Sequence, residues 1–355
     1  AQESRRLGDV YKRQSLNKYY TGVKGNTLVE AMFPAAYTNT FDFNVLGSVN
    51  GGVVKVLQGS ELDVDPFARD WELKTTTKGD KQFFRESLKL NERQRKELFE
   101  ILNTNDAAII ENYSEQLYSQ FAGKTGFLAS ARAVATYTAS QFLSTAKVPF
   151  IDENGGGAKT IDYKLDNKYK ETLAGTNAWN MATATPLEDL ARWKEIVEEN
   201  GGTVEIALMN KATYTMLKNQ ANVKAVYNKL TNVLITEDDK KRIIEEMTGL
   251  SIVIWDEKIN VKGRVQPVFP NNIVTLIPNG QLGKMEYGPT PTKTDQMLGI
   301  AGDREIVDIA GTFATVEVVP ESKSAGVVNN VNVVIEDLVA PNPSIMNSMF
   351  IATVG

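Results

Sequence analysis

The sequence contains no cysteine and no histidine. Without cysteine, the chain cannot form disulfides, thiolate metal sites or cysteine nucleophiles. Without histidine, it lacks Ser-His-Asp triads, His-ligated zinc and the one side chain that ordinarily titrates near neutrality. An enzyme can still work with carboxylates and lysines, so these absences disfavour catalysis without excluding it. We therefore predict no catalytic residues, no metal and no cofactor.

Long apolar runs and clustered positive charge are also missing. No stretch approaches the roughly eighteen uninterrupted apolar residues of a membrane helix, and the polar, charged beginning predicts no secretory signal. The net charge of -5 disfavours tight general binding to nucleic acid, which depends on clustered Lys and Arg. With 42% hydrophobic and 23% charged residues, the 355-residue chain has an ordinary globular composition and predicts two or more lobes.

The segment from Asp106 to Lys147 predicts one long helix with a weak point in the middle. Apolar residues recur at helical spacing before and after residues 123–126, where two glycines lower helix propensity. About 40 residues at a rise of 1.5 Å would extend about 60 Å. That length suits a spine, and the alternative is two ordinary core helices joined by a glycine turn.

Residues 42–90 predict a long two-stranded hairpin. Three segments alternate in polarity, as half-buried strands do, and glycine-containing turns are predicted at 51–52 and 78–80. The alternating segments contain Val54 and Val56, then Trp71, Leu73 and Thr75, then Phe84, Leu88 and Leu90. Since two-stranded hairpins are marginal in water, this one must lie either on another molecule or back on its own domain.

The first part of the chain has an unusual character. Residues 1–14 include a run, Ser4 to Gln14, that resembles translated sequencing-adapter read-through, so we treat them as non-native and expect the true start to be missing. From Ser15 to Phe41 the polarity is mixed without sustained periodicity. That segment predicts an extended arm.

A separate α/β lobe is predicted from about residue 170 to residue 300. Thr185-Pro186-Leu187-Glu188 combines an N-cap, an N1 proline and a capping-box glutamate, which predicts a helix ending at Asn200-Gly201. Within this lobe we expect helices at 211–219 and 236–248 and strands at 204–209, 250–255 and 273–277. Elsewhere we expect a short helix opening at Asn91 and strands at 159–165, 306–309, 312–319, 331–335 and 350–354.

Several motifs that would indicate chemistry are incomplete. Gly123-Lys124-Thr125 lacks the first glycine of a phosphate-binding loop, because Tyr118 occupies that place. The pairs Asp63 with Asp65 and Asp152 with Asn154 begin like calcium loops but lack oxygen ligands at later positions. Neither a nucleotide site nor a calcium site is predicted.

The segment from Phe269 to Pro291 is more specific. It contains an apolar strand between prolines, an Asn-Gly turn and a loop punctuated by glycine and proline. Its Leu282-Gly283 and Tyr287-Gly288-Pro289-Thr290-Pro291 resemble the signature of the tailed-phage major capsid proteins typified by lambda protein E. Further similar segments follow in order at Thr145-Ala146-Lys147, Trp179, 185–201, Met209-Asn210 and 249–255. Two features depart from the family: Ala146 replaces the usual glycine, and no acidic residue follows shortly after Arg132.

The resemblance implies an α+β chain with the Hong Kong 97-type capsid fold. Such a fold has an N-terminal arm, an extended β-hairpin loop, a peripheral domain with a long spine helix and an axial α/β domain. The implied ranges are 15–41 for the arm, 42–90 for the loop, 91–168 and 301–330 for the peripheral domain, and 169–300 and 331–355 for the axial domain.

The implied function is that of a major capsid (head) protein of a tailed bacteriophage or prophage. It would form hexamers and pentamers of an icosahedral shell around double-stranded DNA, after assembly in the host bacterial cytoplasm. Few residues precede the loop, so we expect a separate scaffolding protein, together with a portal protein and in some cases a decoration protein. Lys55, Lys74 and Lys78 could be imagined as cross-link donors but are better explained as solvated loop charges.

Two alternatives remain open from the sequence. A bacterial nanocompartment (encapsulin-like) shell would share the fold and carry enzymes instead of DNA. A carboxylate-dependent hydrolase would require a pocket lined by paired acidic residues with shifted pKa values.

Overall fold

The computed structural model describes residues 27–48, 73–90, 126–149, 160–230, 236–261, 263–300, 305–308, 315–321 and 330–355, and the single positions 93, 96 and 100. These residues form an α+β fold. The helices are α1 Thr27–Met32, α2 Phe127–Thr145, α3 Pro186–Glu199, α4 Lys211–Asn219, α5 Ala221–Leu230, α6 Glu237–Thr248 and α7 Pro291–Met297. The first strands are β1 Ala35–Tyr37, β2 Asp42–Ser48, β3 Leu73–Asp80, β4 Gln82–Leu90, β5 Lys147–Pro149, β6 Thr160–Asp162, β7 Lys170–Thr172, β8 Ile206–Met209 and β9 Ser251–Ile254. The others are β10 Lys258–Val261, β11 Arg264–Pro267, β12 Ile273–Ile277, β13 Gly283–Tyr287, β14 Glu305–Asp308, β15 Thr315–Glu321, β16 Asn330–Pro343 and β17 Phe350–Thr353.

The chain divides into two compact units, each built from several segments. One contains residues 1–43, 80–136 and 285–341, and the other contains residues 44–79, 137–284 and 342–355. These units are defined by contacts within the chain, whereas the predicted domains are those of the capsid family. The predicted domain boundaries therefore stay a prediction.

The second unit contains a five-stranded sheet in the order β7-β17-β12-β8-β9. Strand β12 lies at its centre, antiparallel to both β8 and β17, while the two outer pairs are parallel. Residues Val274 to Ile277 are all buried, which explains why this strand is apolar without alternation. The hydroxyl of Thr275, its one polar residue, donates to the carbonyl of Leu143 at 2.7 Å.

The helices of this unit begin and end at the residues that local chemistry favours. Helix α6 has a capping box formed by Thr236 and Asp239, and it ends at Gly249, whose φ of 63° is left-handed. The predicted bounds of α3 are confirmed, including the N1 proline, but the predicted side-chain cap is wrong. The side chain of Thr185 makes no capping hydrogen bond, and its ψ of 68° departs from the extended backbone of a usual N-cap.

Three stacked aromatic rings form the centre of the core in this unit. Trp193 stacks on Trp179 with ring centroids 5.9 Å apart and on Phe350 with centroids 5.6 Å apart. The indole of Trp179 donates to Asp189 at 3.0 Å, and that of Trp193 donates to Glu171. Each buried indole N–H thus has an acceptor, as burial of a polar group requires.

The first unit contains a sheet in the order β1-β13-β16-β15-β14, with β4 also paired to β16. Strand β1 runs parallel to β13, and β4 runs antiparallel to β16 from Gln82 to Leu90. The described part of the predicted arm is not extended throughout, because it contains helix α1 as well as strand β1.

Several predicted elements are confirmed where the structure describes them. Helix α2 begins directly after Gly126, at the predicted weak point, whereas residues 106–125 of the predicted spine lie outside the described residues. Strands β2 and β3 pair with each other within the predicted hairpin range, but the predicted strand with Phe84, Leu88 and Leu90 is β4, which pairs with β16 instead. The predicted segment with Val54 and Val56 lies outside the described residues. The predicted turn at 78–80 is wrong, because these residues complete β3 and the break falls at Lys81. Residues 1–26, the 51–52 turn, Asn91 and the two incomplete calcium motifs lie at least partly outside the described residues.

Some elements were not predicted at all. Helices α5 and α7 and the hairpin of β10 and β11 are short, with ten, seven and four residues per element, although Val223, Val226, Tyr227 and Leu230 of α5 do recur at helical spacing. No helix in the described parts of the chain has the length and apolar character needed to cross a membrane.

We predict that Trp193→Ala destabilises the unassembled subunit by about 3–5 kcal/mol, because it removes a fully buried ring between two others. Chemical denaturation followed by circular dichroism measures this change. The control is Met181→Ala, at a side chain that is 46% exposed, for which we expect less than about 1 kcal/mol. Equal effects of the two substitutions would contradict the assigned core.

Candidate functional site

The segment 269–291, singled out in the sequence, connects the two main sheets. Strand β12 belongs to the five-stranded sheet and β13 to the six-stranded one. Between them Gly280 has a φ of 100°, a conformation that glycine adopts readily, in agreement with the predicted Asn-Gly turn. The rest of the segment was predicted to be a loop, which is wrong. Residues 283–287 form β13, and residues 291–297 form α7.

Two glycines of this segment lie where any side chain would collide with neighbouring atoms. A Cβ on Gly283 would lie 2.3 Å from the carbonyl oxygen of Asn342. A Cβ on Gly288 would lie 2.8 Å from the Leu338 side chain and 2.9 Å from the carbonyl oxygen of Thr40. The glycines of the Leu-Gly and Tyr-Gly pairs are therefore required because neighbouring segments lie too close to leave room for a Cβ.

Thr290 and Pro291, the last two residues of the signature, begin helix α7. Thr290 is the N-cap and accepts a hydrogen bond from the amide of Lys293, while Pro291 occupies the first turn. The amide of Thr292 donates to the carboxylate of Glu336 at 3.2 Å. Glu336 is almost fully buried and also pairs with Arg85, whose Nε lies 3.1 Å away. Thr292, the residue directly after the signature, thus supplies one of the partners that a buried carboxylate needs.

A buried lysine holds the chain at the base of the β2–β3 hairpin. The ammonium of Lys81 donates to the carbonyl oxygens of Thr40 at 2.7 Å and Asp42 at 2.6 Å, and lies 3.8 Å from Glu286. Burial lowers the pKa of Lys81, while the charges of Glu286 and Asp42 oppose that shift. These contacts tie the residues on both sides of the hairpin to β13 of the signature.

Strand β16 carries a second buried acid that has no such support. Among the described residues, no donor meets hydrogen-bond geometry at either carboxylate oxygen of Asp337, and burial raises its pKa to about 8 against the opposing effect of the nearby Leu338 amide. Because Asp337 and Glu336 are adjacent on a strand, their side chains point to opposite faces. They do not converge as a catalytic pair of carboxylates would.

The backbone conformation directly after the C-terminus of α2 explains why the family usually has a glycine at this position. Ala146, which replaces it, has a φ of 55°, in the left-handed region that glycine adopts at little cost. The residue is fully buried, and its carbonyl oxygen accepts a hydrogen bond from the backbone amide of Tyr163 at 3.1 Å. The departure noted in the sequence is therefore a strained but packed alanine.

The described residues offer little to a small-molecule reaction. A cavity of about 510 Å³ is lined by residues around Trp179, Met216 and Gln220, with Lys224 as its one charged group. It contains no acidic side chain, so it lacks the paired carboxylates that the hydrolase alternative requires. Among the described residues, no group of acidic side chains is placed to hold a metal ion.

Three solved structures show the fold. The match with a prophage capsid protein from E. coli CFT073 covers 96% of this chain and 98% of that protein, at 11% identity and a TM-score of 0.55. The match with a phage-related protein from Bordetella bronchiseptica RB50 covers 96% of each chain, at 13% identity and a TM-score of 0.51. A capsid chain of cyanophage A-1(L) matches over 94% of this chain and 93% of its own, at 11% identity and a TM-score of 0.50. No curated protein sequence matches the chain significantly.

These likenesses define a class: the chain has the Hong Kong 97-type capsid fold, as predicted. The sequence narrows this further, because the model of the phage major capsid protein E family matches residues 130–304, including the whole signature. This match spans 175 of the 355 residues. Together with the fold, it identifies the chain as a major capsid protein, a structural component of the virion and not an enzyme.

Sequence reasoning identified the signature but missed the residues that support it. Lys81 lies in a short polar stretch between strands, and Asp337 follows Glu336 in a strand that was predicted to end at residue 335. A buried charge among exposed ones has no distinct sequence pattern. Of the three imagined cross-link lysines, Lys55 lies outside the described residues and Lys78 is exposed.

We predict that Gly288→Ala destabilises the unassembled subunit by about 1–3 kcal/mol, since the added methyl group must displace backbone at Thr40 or the side chain of Leu338. Thermal unfolding measures the effect. Gly355→Ala is the control, because a Cβ there meets its nearest atoms at an ordinary 3.7 Å. An unchanged melting temperature for Gly288→Ala would mean that the close approach is absent.

We also predict that Asp337 makes stability depend on pH. Its pKa is about 8 when folded and near 4 when unfolded, so the folded state binds more protons between these values. Stability should therefore fall as pH rises from about 4 to about 8 and then level off. Asp337→Asn removes this slope, so the melting temperature of the variant should gain on the wild type as pH rises. Parallel profiles of the two proteins, or a similar gain for the exposed control Asp256→Asn, would contradict this assignment.

Proposed function

We propose that copies of this chain assemble into hexamers and pentamers that together form an icosahedral head filled with double-stranded DNA. The observation that carries this proposal is the family match across the signature, whose glycines pack closely in the described structure. The self-assembly of capsid proteins requires many modest interfaces acting together, since multivalency converts weak contacts into a stable shell.

The β2–β3 hairpin supports contact between copies. Two strands alone are marginal in water, and in this hairpin Phe41 at the entrance is 51% exposed. Its base is held by the buried ammonium of Lys81. We propose that the hairpin lies on a neighbouring copy, where it gains the packing that a two-stranded sheet lacks.

The net charge supports a wall that surrounds DNA without adhering to it. With a net charge of -5, the chain would repel DNA phosphates overall. The DNA could then be packed inside the shell without binding tightly to its wall. We propose assembly in the bacterial cytoplasm, with a separate scaffolding protein, a portal protein at one vertex and in some cases a decoration protein outside.

The proposed division into domains follows the family. The arm would be 15–41, the extended loop 42–90, the peripheral domain 91–168 with 301–330, and the axial domain 169–300 with 331–355. The five-stranded sheet around β12 supports an axial α/β domain in this region.

The test is expression of the chain with and without a candidate scaffolding protein, followed by size-exclusion chromatography and negative-stain electron microscopy. We expect shells, tubes or rings with five- and six-fold symmetry. A subunit that remains monomeric at high concentration with scaffold present would overturn the proposal.

The cargo separates this proposal from the nanocompartment alternative. Particles purified from infected or induced cells should contain nuclease-protected double-stranded DNA. Particles of the same kind that contain a cargo enzyme and no nucleic acid would favour the nanocompartment instead.

A further inference from the structure

Helix α7 ends in three large apolar side chains that no described part of the chain covers. Met297, Leu298 and Ile300 are 65%, 68% and 66% exposed, and they lie within four consecutive positions. The other exposed large apolar residues of the described chain are scattered singly. Scattered residues of this kind are normal on a protein surface, whereas a contiguous group marks a contact site. We call Met297, Leu298 and Ile300 the apolar knob.

The backbone holds the apolar knob in one conformation. The amide of Gly299 donates to the carbonyl of Gln296 at 3.2 Å, and the amide of Ile300 donates to the carbonyl of Asp295 at 2.9 Å. With Gly299 at a φ of 72°, these two bonds form a Schellman motif. A residue in the place of Ile300 commonly packs on an apolar side chain of the last turn, but the two candidate positions are Thr294 and Asp295. The knob is therefore ordered before it meets a partner, which lowers the entropic cost of a contact.

The cavity of about 510 Å³ beside Trp179 offers an apolar surface of the opposite shape. Its floor is fixed, because Trp179 belongs to the aromatic stack and the side-chain amide of Gln220 donates to the carbonyls of Trp179 and Met181. Cavities of this volume hold whole small ligands, so this one has room for a large aliphatic side chain. Its apolar lining residues are Trp179, Met181, Ala182, Met216 and Ala221.

The electrostatics of the two sites are complementary as well. Lys224, the one charged residue of the cavity, is exposed and forms no ion pair with a described residue. The apolar knob lies at the C-terminal end of α7, which is the negative end of the helix dipole, and the last turn contains no basic residue. The two charged residues of α7, Lys293 and Asp295, balance each other. An ammonium group is therefore favoured at this end of the helix.

We infer that the apolar knob of one copy inserts into the cavity beside Trp179 on a neighbouring copy. The contact removes apolar surface of both copies from water, which is the main driving force of protein association. It also places Lys224 against the end of α7. Because knob and cavity are different patches of the same chain, the contact is heterologous and repeats head to tail, which closes a ring when the rotation between copies allows it. This inference rests on the proposed self-assembly and names one of its interfaces.

Shell formation tests the knob. Leu298→Ser with Ile300→Ser should lower the yield of shells and rings by about ten-fold or more, since it replaces two apolar contact residues by polar ones. The control is Met247→Ser with Val265→Ser, at side chains that are 52% and 70% exposed elsewhere. This control should assemble as the wild type does.

Substitutions in the cavity test the other surface. Ala221→Trp places a bulky ring in the cavity and should cause a similar loss of assembly, whereas Ala174→Trp, at an exposed alanine outside the cavity, should not. Lys224→Glu should also weaken assembly, because it sets a carboxylate against the negative end of α7. Its control is Lys284→Glu, the same charge change at an exposed lysine outside the cavity. Circular dichroism establishes that each variant remains folded.

The outcomes separate this inference from the proposed function. If the wild type does not assemble, the proposed function fails. If the wild type assembles and a folded knob or cavity variant also assembles normally, the inference fails and the proposed function stands. An equal loss of assembly in the control variants would also overturn the inference, because the effect would then not be specific to these two patches.

Cross-linking gives an independent test in a chain without native cysteine. Leu298→Cys combined with Met181→Cys, oxidised after assembly, should give a ladder of covalent oligomers on a non-reducing denaturing gel. Each single-cysteine variant should give no ladder beyond a dimer. The control pair Leu298→Cys with Val265→Cys joins the knob to an exposed apolar position outside the cavity and should give no ladder. No ladder from the first pair, or an equal ladder from the control pair, would overturn the inference.

Discussion

The described structure depends on how closely backbone segments approach one another around the signature. At Gly288 there is no room for a methyl group between Thr40 and Leu338, and at Gly283 there is none beside Asn342. A strand can pack this tightly only where a glycine removes the Cβ. The same segment caps α7 through Thr290, and Thr292 directly after it donates to the buried Glu336. Its sequence is therefore constrained by packing and polar satisfaction, with no catalytic requirement.

The buried charges of the first unit are held in contrasting ways. Lys81 and Glu336 each have specific partners, so removing a partner would leave a buried charge unsupported. Asp337 has none among the described side chains and is instead kept protonated by its surroundings at neutral pH. In a protein that works by assembly, such groups can tune the stability of a subunit without lying in any reactive site.

Local sequence signals predicted the elements whose formation is decided locally. The bounds of α4 and β12 and the capping of α6 follow from periodicity and end residues, and the structure agrees. The turn predicted at 78–80 is wrong because pairing with β2 extends β3 through Asp80. The hairpin of β10 and β11 was missed because each of its strands has only four residues, although both alternate in polarity. The buried state of Lys81 and Asp337 could not be predicted, because burial depends on strands that are far apart along the chain.

The position of β17 has a consequence for the order of events during synthesis. This strand, residues 350–353, lies between β7 and β12, whose residues are translated long before it. Until it emerges from the ribosome, β12 has one open edge and Trp193 lacks the ring of Phe350. Nascent chains are therefore unable to complete the sheet, and an exposed edge of this kind invites pairing with other chains. The five-stranded sheet is therefore complete only after residues 350–353 have been synthesised, long after its other four strands.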